Sequence, residues 1–206
     1  MILSIGMIVK NEEKYLDRCL SAMKPILDSV DSELIIADTG STDRTVEIAK
    51  KYTDNVFYFE WINDFAAARN STLKRAKGEW FMYVDADEIF SSCDELISFF
   101  NSGEYKKYNT ATFIQRNYTS KEMRAGTFGD FNAPRLAKLT PDIEFELPIH
   151  EGYNYFRGPV KIINAVADHF GYIHDDDENT AKKKCERNAP LLLKRLETEK
   201  NPKSLL

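Results

Sequence analysis

Short apolar runs alternating with helical patterns organise the first half of the chain. Ile2–Val9 is an apolar run of strand length. After Lys10–Asn11–Glu12–Glu13, the residues Tyr15, Leu16, Cys19, Leu20 and Met23 recur at helical spacing, and Pro25 ends or bends that helix. Glu33–Ala37 predicts a second strand. Thr42 is placed to cap a helix outlined by Thr45, Val46, Ala49 and Tyr52. Asn55–Glu60 reads as a third strand, Phe65–Lys77 as a helix, and Gly78 as the turn into a strand from Trp80 to Asp85. Strand and helix alternate regularly up to this point, which predicts a parallel sheet covered by helices.

The second half is less regular. Cys93–Phe100 predicts a short helix and Asn109–Ile114 a strand, followed by a polar segment from Gln115 to Phe131. Ala133–Leu139 and Ile162–Asp168 read as further strands, with Glu144–Asn154 a mixed loop between them. His169–Asn179 is polar, and Thr180–Glu199 reads as a helix interrupted or kinked at Pro190. Antiparallel additions to the sheet, built around an acceptor cleft, are expected here. No fixed-period repeat or low-complexity linker divides the chain, so one domain is expected over its 206 residues.

Composition narrows the class. A formal charge of −5 with no strongly basic tract argues against a nucleic-acid partner. No apolar stretch reaches the roughly 20 residues that span a bilayer, though contact with a membrane surface stays open. The N-terminus lacks the basic-then-apolar pattern of a signal peptide. Cys19, Cys93 and Cys185 are widely spaced and odd in number, which gives no disulfide framework and points to a reducing, cytoplasmic setting. Cys19 falls in an apolar helical stripe and is expected in the core.

The chemistry concentrates where an apolar run stops. Trp80–Phe81–Met82–Tyr83–Val84 ends in Asp85–Ala86–Asp87–Glu88, three carboxylates within four residues. Open α/β sheets bind ligands at the carboxyl ends of their strands. Acids crowded there either face water or share a divalent cation, which would also hold a substrate phosphate. Asp38–Thr39–Gly40–Ser41–Thr42–Asp43 follows the second strand. Its first acid can accept bonds from a ribose hydroxyl or a base N–H, or merely close a strand-to-helix turn. In Asn63–Asp64–Phe65–Ala66–Ala67–Ala68–Arg69–Asn70 the small residues allow close packing, and Arg69 offers a fork for a pyrophosphate or a carboxylate. One structural alternative for Arg69 is a salt bridge to the Asp38 turn. Trp80 is expected in the core, Trp61 has stacking potential, and Asp175–Glu178 reads as a solvated acidic face.

Taken in order, these segments resemble the GT-A-fold glycosyltransferases of family 2. The resemblance rests on Ile8–Val9–Lys10–Asn11–Glu12, Asp38–Thr39–Gly40–Ser41–Thr42–Asp43–Arg44–Thr45, Ala68–Arg69–Asn70 and the DxD-type Asp85–Ala86–Asp87. Ile149–His150–Glu151 and His169–Phe170–Gly171–Tyr172, followed by Lys184, Arg187 and Asn188, are similar to a bacterial branch. That branch includes peptide S-glycosyltransferases and enzymes with helical repeats after the catalytic domain. The chain ends where such repeats would begin.

The resemblance implies an α/β GT-A fold, a Rossmann-like mixed sheet flanked by helices. Residues 1–100 would form a nucleotide-binding half, 101–178 an acceptor side and 179–200 a C-terminal helix. It implies an inverting, metal-dependent transfer from a nucleotide-diphosphate sugar, expected to be a UDP-sugar, to an unidentified acceptor. Ile8, Lys10, Asn11, Glu12, Asp38, Gly40, Arg69, Asp85, Ala86, Asp87 and His150 would line the donor site. Asp85, Asp87 and His169 would hold Mn²⁺ or Mg²⁺. Glu151 would be the base, with Asp130 the second candidate. His150 has a structural reading beside its oxygen-binding one, and His169 a polar strand-end reading beside metal or phosphate contact. Thr39 replaces the second acid of the common Asp–Asp–Gly–Ser, which weakens or removes one nucleobase contact. The competing functions are a sugar nucleotidyltransferase and a non-catalytic nucleotide-sugar-binding domain. Lys10–Asn11–Glu12–Glu13 lacks the glycine-rich basic loop that the nucleotidyltransferase requires.

Overall fold

A computed structural model describes residues 1–119, 127–171 and 178–198. Its strands are β1 (Leu3–Val9), β2 (Ser32–Asp38), β3 (Val56–Tyr58), β4 (Trp80–Tyr83), β5 (Glu88–Phe90), β6 (Thr110–Tyr118), β7 (Phe128–Lys138), β8 (Phe145–Glu146), β9 (Gly152–Tyr153) and β10 (Val160–His169). Five α-helices accompany them: α1 (Leu16–Ser29), α2 (Thr45–Ala49), α3 (Phe65–Leu73), α4 (Asp94–Asn101) and α5 (Glu178–Thr198). The acidic residues Asp175, Asp176 and Asp177 lie outside the described residues.

Eight strands form one sheet in the order β3-β2-β1-β4-β7-β6-β10-β5, and β8 pairs with β9 separately. β1 runs parallel to β2 on one side and to β4 on the other. The chain direction of the crossovers therefore reverses at β1, which opens a crevice at the carboxyl ends of β1, β2 and β4. β7 joins β4 antiparallel, β6 joins β7 antiparallel, and β10 joins β6 parallel. The mixed second half is thus an extension of the same sheet.

Side-chain alternation along the strands builds two cores. Leu3, Ile5, Met7 and Val9 of β1, with Trp80 and Met82 of β4, pack with Leu16, Cys19, Leu20 and Met23 of α1 and with Leu96, Phe99 and Phe100 of α4. Trp80 meets Phe99 edge-on at 5.6 Å. Phe81 and Tyr83 point the other way, into a smaller cluster with Ala66 and Leu73 of α3 and with Phe145 and Tyr153 of the small sheet.

Several boundaries differ from the sequence reading, each for a physical reason. Pro25 and Pro190 lie inside α1 and α5, and both helices continue beyond them. Thr42 does not cap α2. Its N–H goes to Asn11 Oδ1 at 2.8 Å, while Asp43 Oδ1 takes the Thr45 N–H at 2.9 Å. Asp64, by contrast, caps α3 by accepting the Ala67 N–H at 2.8 Å. The stretch expected to be a polar segment after Ile114 continues β6 to Tyr118 and opens β7 at Phe128. Its polar residues mark strands with polar groups on both faces. Arg116, for example, pairs across to Asp130. Pro134 sits within β7 where the register with β6 shifts between Ala111 and Phe113, a bulge that tolerates its missing N–H.

The turn into β4 sets the height of the acids at its end. Ser4 Oγ on β1 accepts N–H bonds from Lys77 and Gly78 at 3.0 and 2.9 Å. A Cβ at Gly78 would fall 2.7 Å from Ser4 N and 2.8 Å from Leu3 C, against backbone that cannot give way. Gly78→Ala is expected to destabilise the protein by about 1–3 kcal/mol, the usual cost of overpacking, read from the midpoint of urea unfolding.

Candidate active site

Three chain segments meet at the strand ends around Arg69, and the first comes from α3. Arg69 is 5% exposed. Its Nη2 donates to Asp85 Oδ1 at 2.6 Å and its Nε to Glu151 Oε1 at 2.7 Å. One guanidinium thus joins the first acid of the strand end to Glu151, which lies 82 positions from Arg69. It does not bridge to the Asp38 turn. Its Nη1 is buried without a hydrogen-bond partner.

A second guanidinium, which the sequence reading missed, completes the cluster. Arg135 of β7, 6% exposed, donates from Nη2 to Asp85 Oδ2 at 3.0 Å and to Glu88 Oε1 at 2.6 Å. Arg69 and Arg135 both lie over the Tyr83 ring, 4.6 and 4.4 Å from its centroid. The signal for Arg135 was present, a charge inside the otherwise apolar run Ala133–Pro134–Arg135–Leu136–Ala137.

The three acids after β4 have three different environments. Glu88 is fully buried and braces the loop. Its Oε2 accepts the Asp85 N–H at 2.9 Å, and Gln115 Nε2 of β6 reaches its Oε1. Burial raises the Glu88 carboxyl pKa, and Arg135 opposes that rise. Burial acts the same way on Asp85, but Arg69 and Arg135 outweigh it and hold that carboxyl well below its usual range. Both Asp85 oxygens are therefore engaged by guanidinium groups. Asp87 instead faces His169, whose Nε2 lies 3.5 Å from Asp87 Oδ2. Burial lowers the His169 pKa, yet the nearby Asp87 raises it overall.

These positions bear on the expected metal set. Among the described residues no group of three His, Cys, Asp or Glu is arranged to hold a metal. Asp85 is held by two arginines, whereas Asp87 and His169 converge. A site with two protein donors fits Mg²⁺ or Mn²⁺, which commonly complete their shell with substrate phosphates and water. The space beside the pair is kept by Gly171. A Cβ there would fall 2.5 Å from Asp87 Oδ2 and 2.7 Å from His169 Nε2. The charge count agrees. Arg69 and Arg135 pair with Asp85, Glu88 and Glu151, two positive groups against three carboxylates, and Asp87 pairs with His169 instead.

Glu151 closes the loop between β8 and β9, in a segment held from both sides. Phe65 N–H of α3 bonds Pro148 O at 3.0 Å, and Arg195 of α5 reaches Ile149 O at 3.4 Å. Asn70 clasps the backbone of Phe145 through both ends of its amide, at 2.9 and 2.8 Å. Leu147 and His150 have φ of 75° and 55°, left-handed conformations that cost such residues energy. His150 is exposed on this loop. Asp130 is not brought to the cluster. Both its oxygens pair with Arg116, at 2.8 and 2.9 Å, and strand alternation turns it away from the face that carries Gln115 and Asn117.

The β1 and β2 loops form the remaining wall. Asp38 is buried and takes the Gly40 and Ser41 N–H groups at 3.2 and 3.1 Å, so it shapes its own turn. Gly40 has φ 102°, which favours glycine. Thr39 Oγ1 donates to Val9 O at 3.0 Å, tying β2 to β1, which gives this residue a structural use where an acid is common. Asn11, at φ 55°, staples the two loops. Its N–H goes to Ser41 Oγ at 2.9 Å. Ile8 is half-buried within β1, Ala86 is buried between the two acids, and Lys10 is exposed. Glu12 is anchored by its N–H to Thr45 Oγ1 at 2.8 Å. Burial, and then repulsion from Asp87 and Asp85, push its carboxyl pKa up to about 8.

The fold class is that of the GT-A nucleotide-sugar transferases. Residues 4–158 match the family described as Glycosyl transferase family 2, and the chain belongs to that family. It is 32% identical to the SPbeta prophage-derived glycosyltransferase SunS of Bacillus subtilis over 98% of its own length and 47% of that protein. It is 37% identical to a TPR repeat-containing protein of Synechococcus elongatus over 72% of its length and 34% of that protein. The chain therefore spans less than half of each relative. S. aureus TarS 1-349, in complex with UDP-GlcNAc, shares the fold with a TM-score of 0.58 at 16% identity, covering 98% of this chain and 68% of that one. No helix among the described residues is long and apolar enough to cross a membrane.

Two measurements address the site directly. Gly171→Ala meets the ends of two flexible side chains, so the fold accommodates it by displacing the donors. Mn²⁺ affinity, measured by electron paramagnetic resonance, is expected to fall about 10–100-fold while the melting temperature stays near that of the wild type. Glu12 binds its proton more tightly folded than unfolded. Its contribution to stability is complete below the unfolded carboxyl pKa and is lost as pH rises to about 8. In metal-free protein, the melting temperature of the wild type is expected to decline relative to Glu12→Gln between pH 5 and 8. A constant difference between the two would contradict this.

Proposed function

We propose that the protein is an inverting, metal-dependent glycosyltransferase that uses a nucleotide-diphosphate sugar. The observation that carries the reading is the Arg69 fork, which links Asp85 of the strand end to Glu151 and keeps a buried N–H edge without a partner. Membership of family 2 supports the reaction class. A UDP-sugar is the expected donor, in keeping with the UDP-GlcNAc complex of the fold neighbour TarS. Residues 1–100 form the donor half in this reading and residues 101–178 the acceptor side. The acceptor is a hydroxyl or thiol of an unidentified glycan, lipid or peptide, and the location is cytoplasmic.

The geometry supports the following roles. Asn11, Glu12, Asp38 and Gly40 line the nucleoside end of the crevice, with Ile8, Lys10 and Ala86 beside them. Arg69, fixed beside the strand end, stabilises charge on the leaving group. Asp87 and His169 hold Mn²⁺ or Mg²⁺, which when bound supplies further neutralisation of the departing diphosphate. Asp85, fixed between two arginines, orients Arg69 and serves the donor site without being a metal ligand. Glu151 takes the proton of the acceptor as it attacks the anomeric carbon. The Arg69 bond orients the Glu151 carboxylate, and the exposed His150 beside it is placed to meet a sugar or diphosphate oxygen.

The experiment is donor hydrolysis by the purified protein with Mn²⁺ and a panel of nucleotide sugars. Absence of both turnover and binding across the panel would sink the reading. Asp87→Ala is expected to abolish metal-dependent donor binding, measured by calorimetry. Glu151→Gln is expected to retain donor binding and to lower transfer by about 10²–10⁴-fold, the usual range for a general base. Transfer that survives this substitution would remove Glu151 from the role of base.

A further inference from the structure

The two ring nitrogens of His169 meet different partners. Nδ1 lies 2.7 Å from Asn117 Oδ1, and Nε2 lies 3.5 Å from Asp87 Oδ2. The partners come from different elements. Asn117 is directly opposite His169 in the register of β6 and β10, while Asp87 stands on the loop after β4. That loop is tied to the same place by the Phe170 N–H bond to Asp87 O at 3.1 Å. Phe170 is itself stacked between Tyr15 and Tyr118, at 5.9 and 5.7 Å, which fixes the end of β10.

An amide oxygen only accepts hydrogen bonds. In the neutral ring its contact with Nδ1 therefore places the proton on Nδ1 and leaves the lone pair on Nε2. That lone pair faces a carboxylate, an arrangement that is repulsive with nothing positive between them. Left to Asp87 alone, neutral His169 would take the opposite tautomer and donate from Nε2. The contact with Asn117 opposes this local preference.

The same strand face repeats the device. Gln115, two residues earlier on β6, uses its amide to hold Glu88. The registers set Asn117 beside His169 and His169 beside Glu88, so β6, β10 and β5 carry one row of site residues. Backbone pairing sets the spacing of this row.

We propose that Asn117 is a positioning residue whose amide oxygen fixes His169 in the Nδ1–H tautomer, presenting the Nε2 lone pair together with Asp87 to a divalent cation. The proposal rests on Asp87 and His169 being the cation donors. Outer partners of this kind orient metal-binding histidines, and their removal typically lowers metal affinity about 10–100-fold.

Long-range ¹H–¹⁵N spectra of the imidazoles in metal-free protein above pH 8 read the tautomer. The chain has three histidines, and His150→Gln and His174→Gln assign the signals. His169 is expected to carry its proton on Nδ1. Asn117→Ala is expected to shift it toward Nε2–H and to weaken Mn²⁺ binding in the presence of UDP about 10–100-fold, read by electron paramagnetic resonance. Asn117→Asp, whose carboxylate also accepts, is expected to restore the tautomer and most of the affinity. An Nε2–H form in the wild type overturns the proposal without any Asn117 variant, which covers the case in which Asn117→Ala fails to fold. An unchanged tautomer in folded Asn117→Ala overturns it equally. Undiminished Mn²⁺ binding in both Asp87→Ala and His169→Ala overturns the donor reading, and the proposal with it, even where the tautomer is Nδ1–H.

Discussion

The ion pairs that Arg69 makes with Asp85 and Glu151 organise the rest of the site. A guanidinium 5% exposed is stable there only while its carboxylates stay close, and removing one partner of a buried pair costs about 3–5 kcal/mol. That constraint locks together the end of β4, the body of α3 and the loop between β8 and β9. Arg135 extends it to β7 through Asp85 and Glu88. Four separate parts of the chain are therefore joined by one network of buried ion pairs.

The same network sorts acids that look alike in the sequence. Asp85, Asp87 and Glu88 lie within four positions, yet one is held by two arginines, one is paired with His169, and one is sealed beneath the loop. Burial raises the pKa of an acid, and only a nearby guanidinium offsets it. At Glu12 Arg187 opposes burial without outweighing it, and the carboxyl is pushed up to about 8. Asp87 lies instead beside His169, next to the space that Gly171 keeps.

Much of the first half was legible as pattern. The alternation of apolar runs and helical stripes is local, because each strand or helix buries one face against a neighbour. Leu16, Cys19, Leu20 and Met23 announced α1 in this way, and Trp80 its core position. The loops Lys10–Glu13 and Asp38–Asp43 announced themselves by turn-forming and polar residues at strand ends. The second half was harder to read because its polar residues alternate within strands. Gln115, Asn117 and Arg116 read as part of a polar segment, although two of them face the site and one faces Asp130 across the sheet.

By itself the sequence determined the α/β alternation, the strand-end placement of Asp38 and Asp85–Glu88, and the family whose motifs those residues compose. These depend on residue order over short spans, where periodicity and turn chemistry act. Only the tertiary structure decided that Arg69 serves Asp85 and Glu151, that Arg135 joins them, and that Asp87 meets His169. It also decided that Asn117 meets His169, 52 positions away. Those contacts are set by strand order and register, which bring distant residues within hydrogen-bond distance, and by the requirement that every buried charge find its opposite.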